Sequence, residues 1–166
     1  MTAADELSAD QASLMPVDVL LVEDDPGDVL MTREAFEQRG MRNRLHVVGD
    51  GEQAIEFLRH AGAFSAAPVP GLILLDLNLP RRNGLDVLAE VKSDSELLRI
   101  PVVVLTTSHA QQDIARSYSL HANAYVTKPI DFVRFMNTIG QIDDFYLTLV
   151  KLPGGTTSGA PPITTN

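Results

Sequence analysis

Apolar and polar positions along the chain follow two alternating periods. Short β-rich apolar runs fall at residues 17–22, 45–48, 72–75, 100–105 and 124–126. Between them, apolar residues return every three to four positions, the spacing of one buried helical face. Helix one carries Val29, Leu30 and Phe36, and helix two carries Ala54, Ile55, Phe57 and Leu58. Helix three carries Val87, Leu88 and Val91, helix four spans residues 109–120, and helix five carries Val133, Met136, Ile139, Ile142 and Phe145.

The punctuation agrees with this division. Asp25 before Pro26 reads as the N-cap and first-turn proline of helix one, which Gly40 ends. Gly49-Asp50-Gly51 closes strand two, and helix two ends near Gly62. Pro68 and Pro70 keep residues 63–71 irregular. Ser108 with Gln111 three residues on predicts a capping box for helix four, and Asp131 caps helix five. Gly140 inside helix five costs it about 1 kcal/mol relative to alanine.

Strand and helix alternate five times with short connections. This predicts an α/β fold, a doubly wound (βα)5 parallel sheet with right-handed crossovers and helices on both faces. Residues 1–16 are small and polar and are expected to form a disordered leader, with residues 17–150 as the folded domain. Residues 151–166, rich in Pro, Gly, Thr and Ser, are expected to form a flexible tail.

Composition narrows the function classes. A chain of 166 residues with 45% hydrophobic content suits one domain with a real core. A formal charge of −9 and a pI near 4.7 argue against nucleic acid as the direct partner. The absence of cysteine excludes thiol catalysis, disulfides and thiolate metal sites. No apolar run reaches the roughly 18–20 residues of a membrane span, and the acidic N-terminus does not resemble a signal peptide. A cytoplasmic protein with no membrane contact is expected.

The chemistry collects at the carboxyl ends of the strands. Glu23 and Asp24 follow strand one, Asp76 follows strand three, Thr106 follows strand four and Lys128 follows strand five. In a parallel sheet these ends open on one rim, where ligands bind in α/β folds. Crowded carboxylates raise a pKa or attract a cation, and oxygen-only ligands favour a hard ion such as Mg²⁺. With a lysine and a hydroxyl on the same rim, the set fits phosphoryl transfer to a carboxylate. Each residue alone has a plainer reading. Asp76 could be a turn residue, Glu23-Asp24-Asp25 could complement a helix dipole, Thr106 could be a cap, and Lys128 could lie at the surface. Their joint arrival at the right strand ends separates the two readings. The histidines His46, His60, His109 and His121 show no partner pattern, and surface or capping roles are expected of them.

The motifs LLVEDD, LLDLNLP followed by Gly84, VVVLTTS and AYVTKP, in that order, resemble the receiver domain of two-component response regulators. The resemblance covers residues 16–150 and implies a flavodoxin-like receiver fold. It makes Asp76 the phosphoacceptor and Asp24 a direct Mg²⁺ ligand with Asp76 and the backbone carbonyl of Asn78, while Glu23 acts through water. It makes Thr106 the switch hydroxyl, Lys128 the phosphate-pairing lysine and Tyr125 the aromatic that turns inward. Pro129 is implied to follow a cis peptide bond, and Asn78 and Ser108 to set the lifetime of the phosphoryl group.

The loop before strand three, the LPRRNG turn and DDFYLTLVKLP narrow the resemblance to small single-domain receivers of the cyanobacterial phytochrome response regulator type. That implies a sensor histidine kinase partner of phytochrome type and a homodimer through the face built by helix four, strand five and helix five. Helix five would extend through residues 143–153. The implied role is signalling, with only self-catalysed phosphorylation and dephosphorylation. Two other Mg²⁺ or phosphate chemistries fit less well. A haloacid-dehalogenase-type phosphatase needs an aspartate where Asn78 stands, and a flavodoxin-like cofactor site needs a Gly/Ser/Thr-rich loop where Glu23-Asp24-Asp25 stands. A receiver reduced to a binding module stays open as a third reading.

Overall fold

The computed structural model describes residues 16–39 and 43–149. Most of the predicted leader, Gly40 and the predicted tail lie outside the described residues. Among the described residues, five strands form one sheet: β1 Asp18–Val22, β2 Arg44–Val48, β3 Leu72–Leu75, β4 Val102–Thr106 and β5 Ala124–Thr127. Five α-helices connect or follow them: α1 Pro26–Gln38, α2 Gly51–Leu58, α3 Gly84–Ser93, α4 Gln111–Ser119 and α5 Phe132–Ile142. A short 3₁₀ turn, Gly62–Phe64, lies in the loop before β3, and Asp143–Leu149 continues α5 as π-helical turns. The predicted extension of helix five is therefore present to Leu149; residues 150–153 lie outside the described residues.

The strand order is β2-β1-β3-β4-β5, with every pairing parallel. From β1 the chain first steps outward to β2 and then returns to β3 on the other side. The β1 and β3 ends therefore flank the point where the chain reverses direction across the sheet, where a parallel sheet opens a crevice.

Period-two alternation sorts the strand side chains between two cores. Leu20, Val22, Ile73, Leu75, Val102 and Val104 face α2 and α3, meeting Phe57, Leu58, Leu88 and Val91. Val19, Leu21, Leu72, Leu74, Val103 and Leu105 face α1 and α5, meeting Phe36, Phe135 and Ile139. All four β3 residues are buried, which is why that run contains no polar position.

The helix starts repeat one device. Asp25, Asp50, Asn83 and Asp131 each accept a backbone N–H from the first turn of the helix that follows. Helix α4 departs from it. The expected capping box does not form: the N-cap is Ala110, with no side-chain bond, and the Ser108 hydroxyl donates instead to Asp113 Oδ2 at 2.6 Å. The loop after β4 uses that hydroxyl to hold itself against the first turn of α4. Ser117 is the one buried residue of α4, so this helix rests on the sheet with little apolar burial.

Gly140 also has a reason that its helix propensity hides. A Cβ there would lie 2.4 Å from an Arg39 guanidinium nitrogen. Arg39 crosses this point to reach Asp144 at 2.9 Å, joining the end of α1 to the π-helical extension.

Candidate functional site

The rim is assembled from backbone first. The amide of Glu23 donates to Val48, that of Asp76 to Val22 and that of Lys128 to Thr106, so each side chain leaves the sheet at a fixed height. Pro80, Arg82 and Gly84 then fold the loop after β3 back on itself. A Cβ on Gly84 would stand 2.2 Å from the backbone oxygen of Asp76, so only glycine permits this return.

Lys128 is at the centre. Its side chain is 5% exposed, and Nζ donates to Asp76 Oδ2 and Asp28 Oδ2, each at 2.9 Å, and to Glu23 Oε2. Three carboxylates thus share one ammonium, and burial makes each of these contacts stronger than it would be in water. Asp24 does not bond to Lys128; it lies exposed at the mouth of the site. Carboxylate oxygens of Glu23, Asp24 and Asp76 nevertheless lie within 4.8 Å of one another. Two buried acids and one open to solvent form a group that fits a divalent cation with oxygen ligands.

The charges shift one another. Burial raises Glu23, hydrogen bonds from Lys128 and the Asp25 amide oppose this, and Asp76 nearby adds to the rise, carrying Glu23 to about 7. Burial also raises Asp76, but hydrogen bonds from Lys128, Thr106 and the Asn78 amide outweigh it and hold Asp76 below the usual carboxylate range. For Lys128, burial disfavours the charge and the three carboxylates more than restore it, leaving it above the ordinary lysine value.

Thr106 is fully buried beside Asp76, and its Oγ accepts the Ser108 amide at 3.4 Å. Tyr125 is half-buried on β5, and its hydroxyl donates to the Ser108 carbonyl at 2.9 Å. Asn78 is exposed just past Asp76, with its amide donating to Asp76 Oδ1 at 3.3 Å. The structure therefore brings Glu23, Asp24, Asp76, Thr106 and Lys128 to one rim and sets Asn78, Ser108 and Tyr125 around it.

Two expectations need correction. No peptide among the described residues is cis, so the bond before Pro129 is trans. Trans is the lower-energy form of an X–Pro bond by about 0.5–1 kcal/mol, and Lys128 reaches its three partners from it. His46 takes neither a surface nor a capping role: it is half-buried, its Nε2 lies 2.9 Å from Asp18 Oδ1 and its ring tilts against Phe57. That pairing spans two neighbouring strands and has no sequence signature.

Asp28 is the residue that the sequence pattern hid. It occupies the first turn of α1, where an acidic residue reads as a complement to the helix dipole. A signal was available: Asp25 was already the cap, which left a second acid one turn on with no assigned partner.

The profile of the response regulator receiver domain matches residues 19–140. This chain belongs to the response regulator receiver family. Response regulator Rcp1 of Synechocystis sp. is 43% identical over 138 residues, covering 83% of this chain and 94% of that protein. Among solved structures, the phosphorylated cyanobacterial phytochrome response regulator RcpA superposes with a TM-score of 0.82 at 41% identity, covering 84% of this chain and 100% of that one. The Mn²⁺-bound form of Rcp1 gives 0.80 at 42% identity, with the same coverage of both chains. The receiver carries two-component phosphorelay signalling and is homologous to phytochrome response regulators. No helix among the described residues is long and apolar enough to cross a membrane.

Proposed function

We propose that Asp76 accepts a phosphoryl group from a partner histidine kinase of phytochrome type. The observation that carries this reading is Lys128 Nζ at 2.9 Å from Asp76 Oδ2, beside three carboxylates whose oxygens lie within 4.8 Å of one another. Asp76 attacks phosphorus through a carboxylate oxygen. As that P–O bond forms, the P–N bond of the phosphohistidine breaks and its electron pair stays on the imidazole nitrogen. Lys128 stands where it neutralises the charge gathering on the phosphoryl oxygens, and burial magnifies its effect.

Mg²⁺ is the metal this donor set favours; Asp24, Asp76 and the Asn78 carbonyl would hold it, with Glu23 reaching it through water. Bound there, it supplies positive charge beside the acceptor carboxylate. The Mn²⁺ carried by Rcp1 supports a divalent ion at such a site.

Thr106 and Tyr125 form the switch. Drawing the Thr106 hydroxyl toward new phosphoryl oxygens would disturb its bond to the Ser108 amide, and Tyr125 holds the carbonyl of that same Ser108. The loop leads into α4, where Ser117 is the one buried residue, so a small displacement there reaches the α4-β5-α5 face. Tyr118, Phe132, Val133 and Phe145 are exposed on α4, α5 and the extension, which supports a homodimer through this side. Asn78 and Ser108, beside Asp76 and Thr106, set the lifetime of the acyl phosphate. The protein acts in the cytoplasm, where such a kinase presents its phosphohistidine.

Intact-mass spectrometry after incubation with acetyl phosphate and Mg²⁺ tests the acceptor. A gain of about 80 Da, absent in Asp76→Asn and without Mg²⁺, is the expected result. Failure with acetyl phosphate and with a histidine kinase alike would leave a binding module instead.

A further inference from the structure

We infer that Asp28 is a positioning residue for Lys128, one that holds the ammonium against Asp76 from outside the metal-binding group. The inference rests on the phosphoacceptor reading above for its kinetic consequence, but the tether itself is a matter of geometry. Lys128 Nζ has three protons and three carboxylate acceptors: Glu23 Oε2, Asp76 Oδ2 and Asp28 Oδ2. Glu23 and Asp76 belong to the trio whose oxygens converge for a cation, whereas Asp28 does not. Divalent ion binding by Glu23, Asp24 and Asp76 therefore draws on two of the three acceptors of Lys128. Asp28 is the one left to it.

The local sequence explains why Asp28 is available. In a helix N-terminus of the capping-box kind, the acid three residues after the cap reaches back to the cap amide. Here the amide of Asp25 is already taken by Glu23 Oε1 at 3.0 Å. Asp25 in turn caps Gly27 through its own side chain at 2.8 Å. With both helix-end positions filled, the Asp28 carboxylate is turned toward Lys128. Its side chain is 19% exposed, buried enough for the pair to exceed an ordinary surface ion pair. An acid serving only the helix dipole would need no such contact.

The arrangement meets a requirement of the reaction. A lysine on a flexible four-carbon stem loses alignment when its anionic partners are taken away. Held by Asp28, Lys128 keeps its place on the rim, at the height where phosphoryl oxygens on Asp76 must appear.

The test uses Asp28→Asn, close in shape and uncharged, and Asp28→Glu, which keeps the carboxylate. Lys128 is one of only three lysines, so ¹³Cε-lysine labelling gives a spectrum in which its side-chain order can be followed directly. In metal-free protein, and again with saturating Mg²⁺, Asp28→Asn is expected to loosen the Lys128 Cε, with the larger effect when Mg²⁺ is bound. Unchanged order in both conditions would overturn the tether. Phosphorylation by acetyl phosphate at saturating Mg²⁺ is expected to slow about tenfold in Asp28→Asn, less than the roughly hundredfold that an ångström of misplacement can cost. The half-saturating Mg²⁺ should stay within about twofold, and Asp28→Glu should recover part of the rate. A slowing that more Mg²⁺ abolishes would place Asp28 among the metal ligands and overturn the inference, as would a rate equal to the natural protein's. If the natural protein itself takes no phosphoryl group, the functional reading falls, and the ¹³C measurement still decides the tether.

Discussion

The Tyr125 hydroxyl donates to the Ser108 carbonyl at 2.9 Å, while the Ser108 hydroxyl donates to Asp113 at 2.6 Å. One serine thus joins β5 to the first turn of α4 through both its backbone and its side chain. Tyr125→Phe removes the first of these bonds and leaves the ring. The expected cost is about 0.5–1.5 kcal/mol, the usual net worth of a hydrogen bond. Urea unfolding of the two proteins measures it. An unchanged midpoint would mean that the bond does not hold the loop.

Gly84 carries a steeper penalty. A Cβ there would press on backbone at 2.2 Å from the Asp76 oxygen and 2.7 Å from the Leu77 Cα, neither of which can swing away as a side chain does. Gly84→Ala is expected to destabilise by about 1–3 kcal/mol, in the range of overpacked cores. Because the strain falls on the loop leaving Asp76, divalent-ion affinity should weaken as well. Calorimetric titration with Mn²⁺ beside urea unfolding checks both.

Ser117 offers the opposite sign. Its hydroxyl is buried in α4 without a hydrogen-bond partner among the described residues. Ser117→Ala removes an unsatisfied polar group and places a better helix former there, so a gain of about 0.5–1 kcal/mol is expected. A loss of stability on unfolding would show that the hydroxyl has a partner in solution.

Glu23 makes the metal-free protein sensitive to pH. Its folded value, about 7, lies above its ordinary 4.5, so the fold favours the protonated acid. The stability it contributes is therefore complete below its ordinary value and is lost as pH rises through about 7. Asp76, shifted down, works in a lower window: its contribution is present above the ordinary aspartate value and is lost as pH falls through the folded one. Urea unfolding in EDTA should show stability falling between about pH 5 and pH 8, with Glu23→Gln flattening that decline. Mg²⁺ should stabilise more at the higher pH, since metal binding must displace the proton. A decline that persists unchanged in Glu23→Gln would assign it to another group.

Much of the molecule was determined by local chemistry. The uninterrupted LILL run reads as a strand covered on both faces, the environment that the middle of a parallel sheet supplies. Strand and helix alternation then fixes the direction of every strand, and direction alone sends Glu23, Asp24, Asp76, Thr106 and Lys128 to one rim. Asp25 and Asp131 cap their helices as their positions require, since a cap involves residues only two or three apart.

Tertiary structure decided what depends on distant partners. Asp28 meets Lys128 across 100 residues, and no periodicity in α1 distinguishes that acid from one serving the helix dipole. Ser108 and Gln111 have capping-box spacing, yet in the fold the Ser108 hydroxyl donates to Asp113 while its carbonyl accepts from Tyr125 on β5. Gly140 reads as a weakness of α5 until Arg39 is seen lying over it on the way to Asp144. Local pattern fixes which face of each element is buried and where the strand ends point. Which charged group on that rim holds which is settled only when the sheet closes, because charge pairing depends on distances that the chain order does not contain.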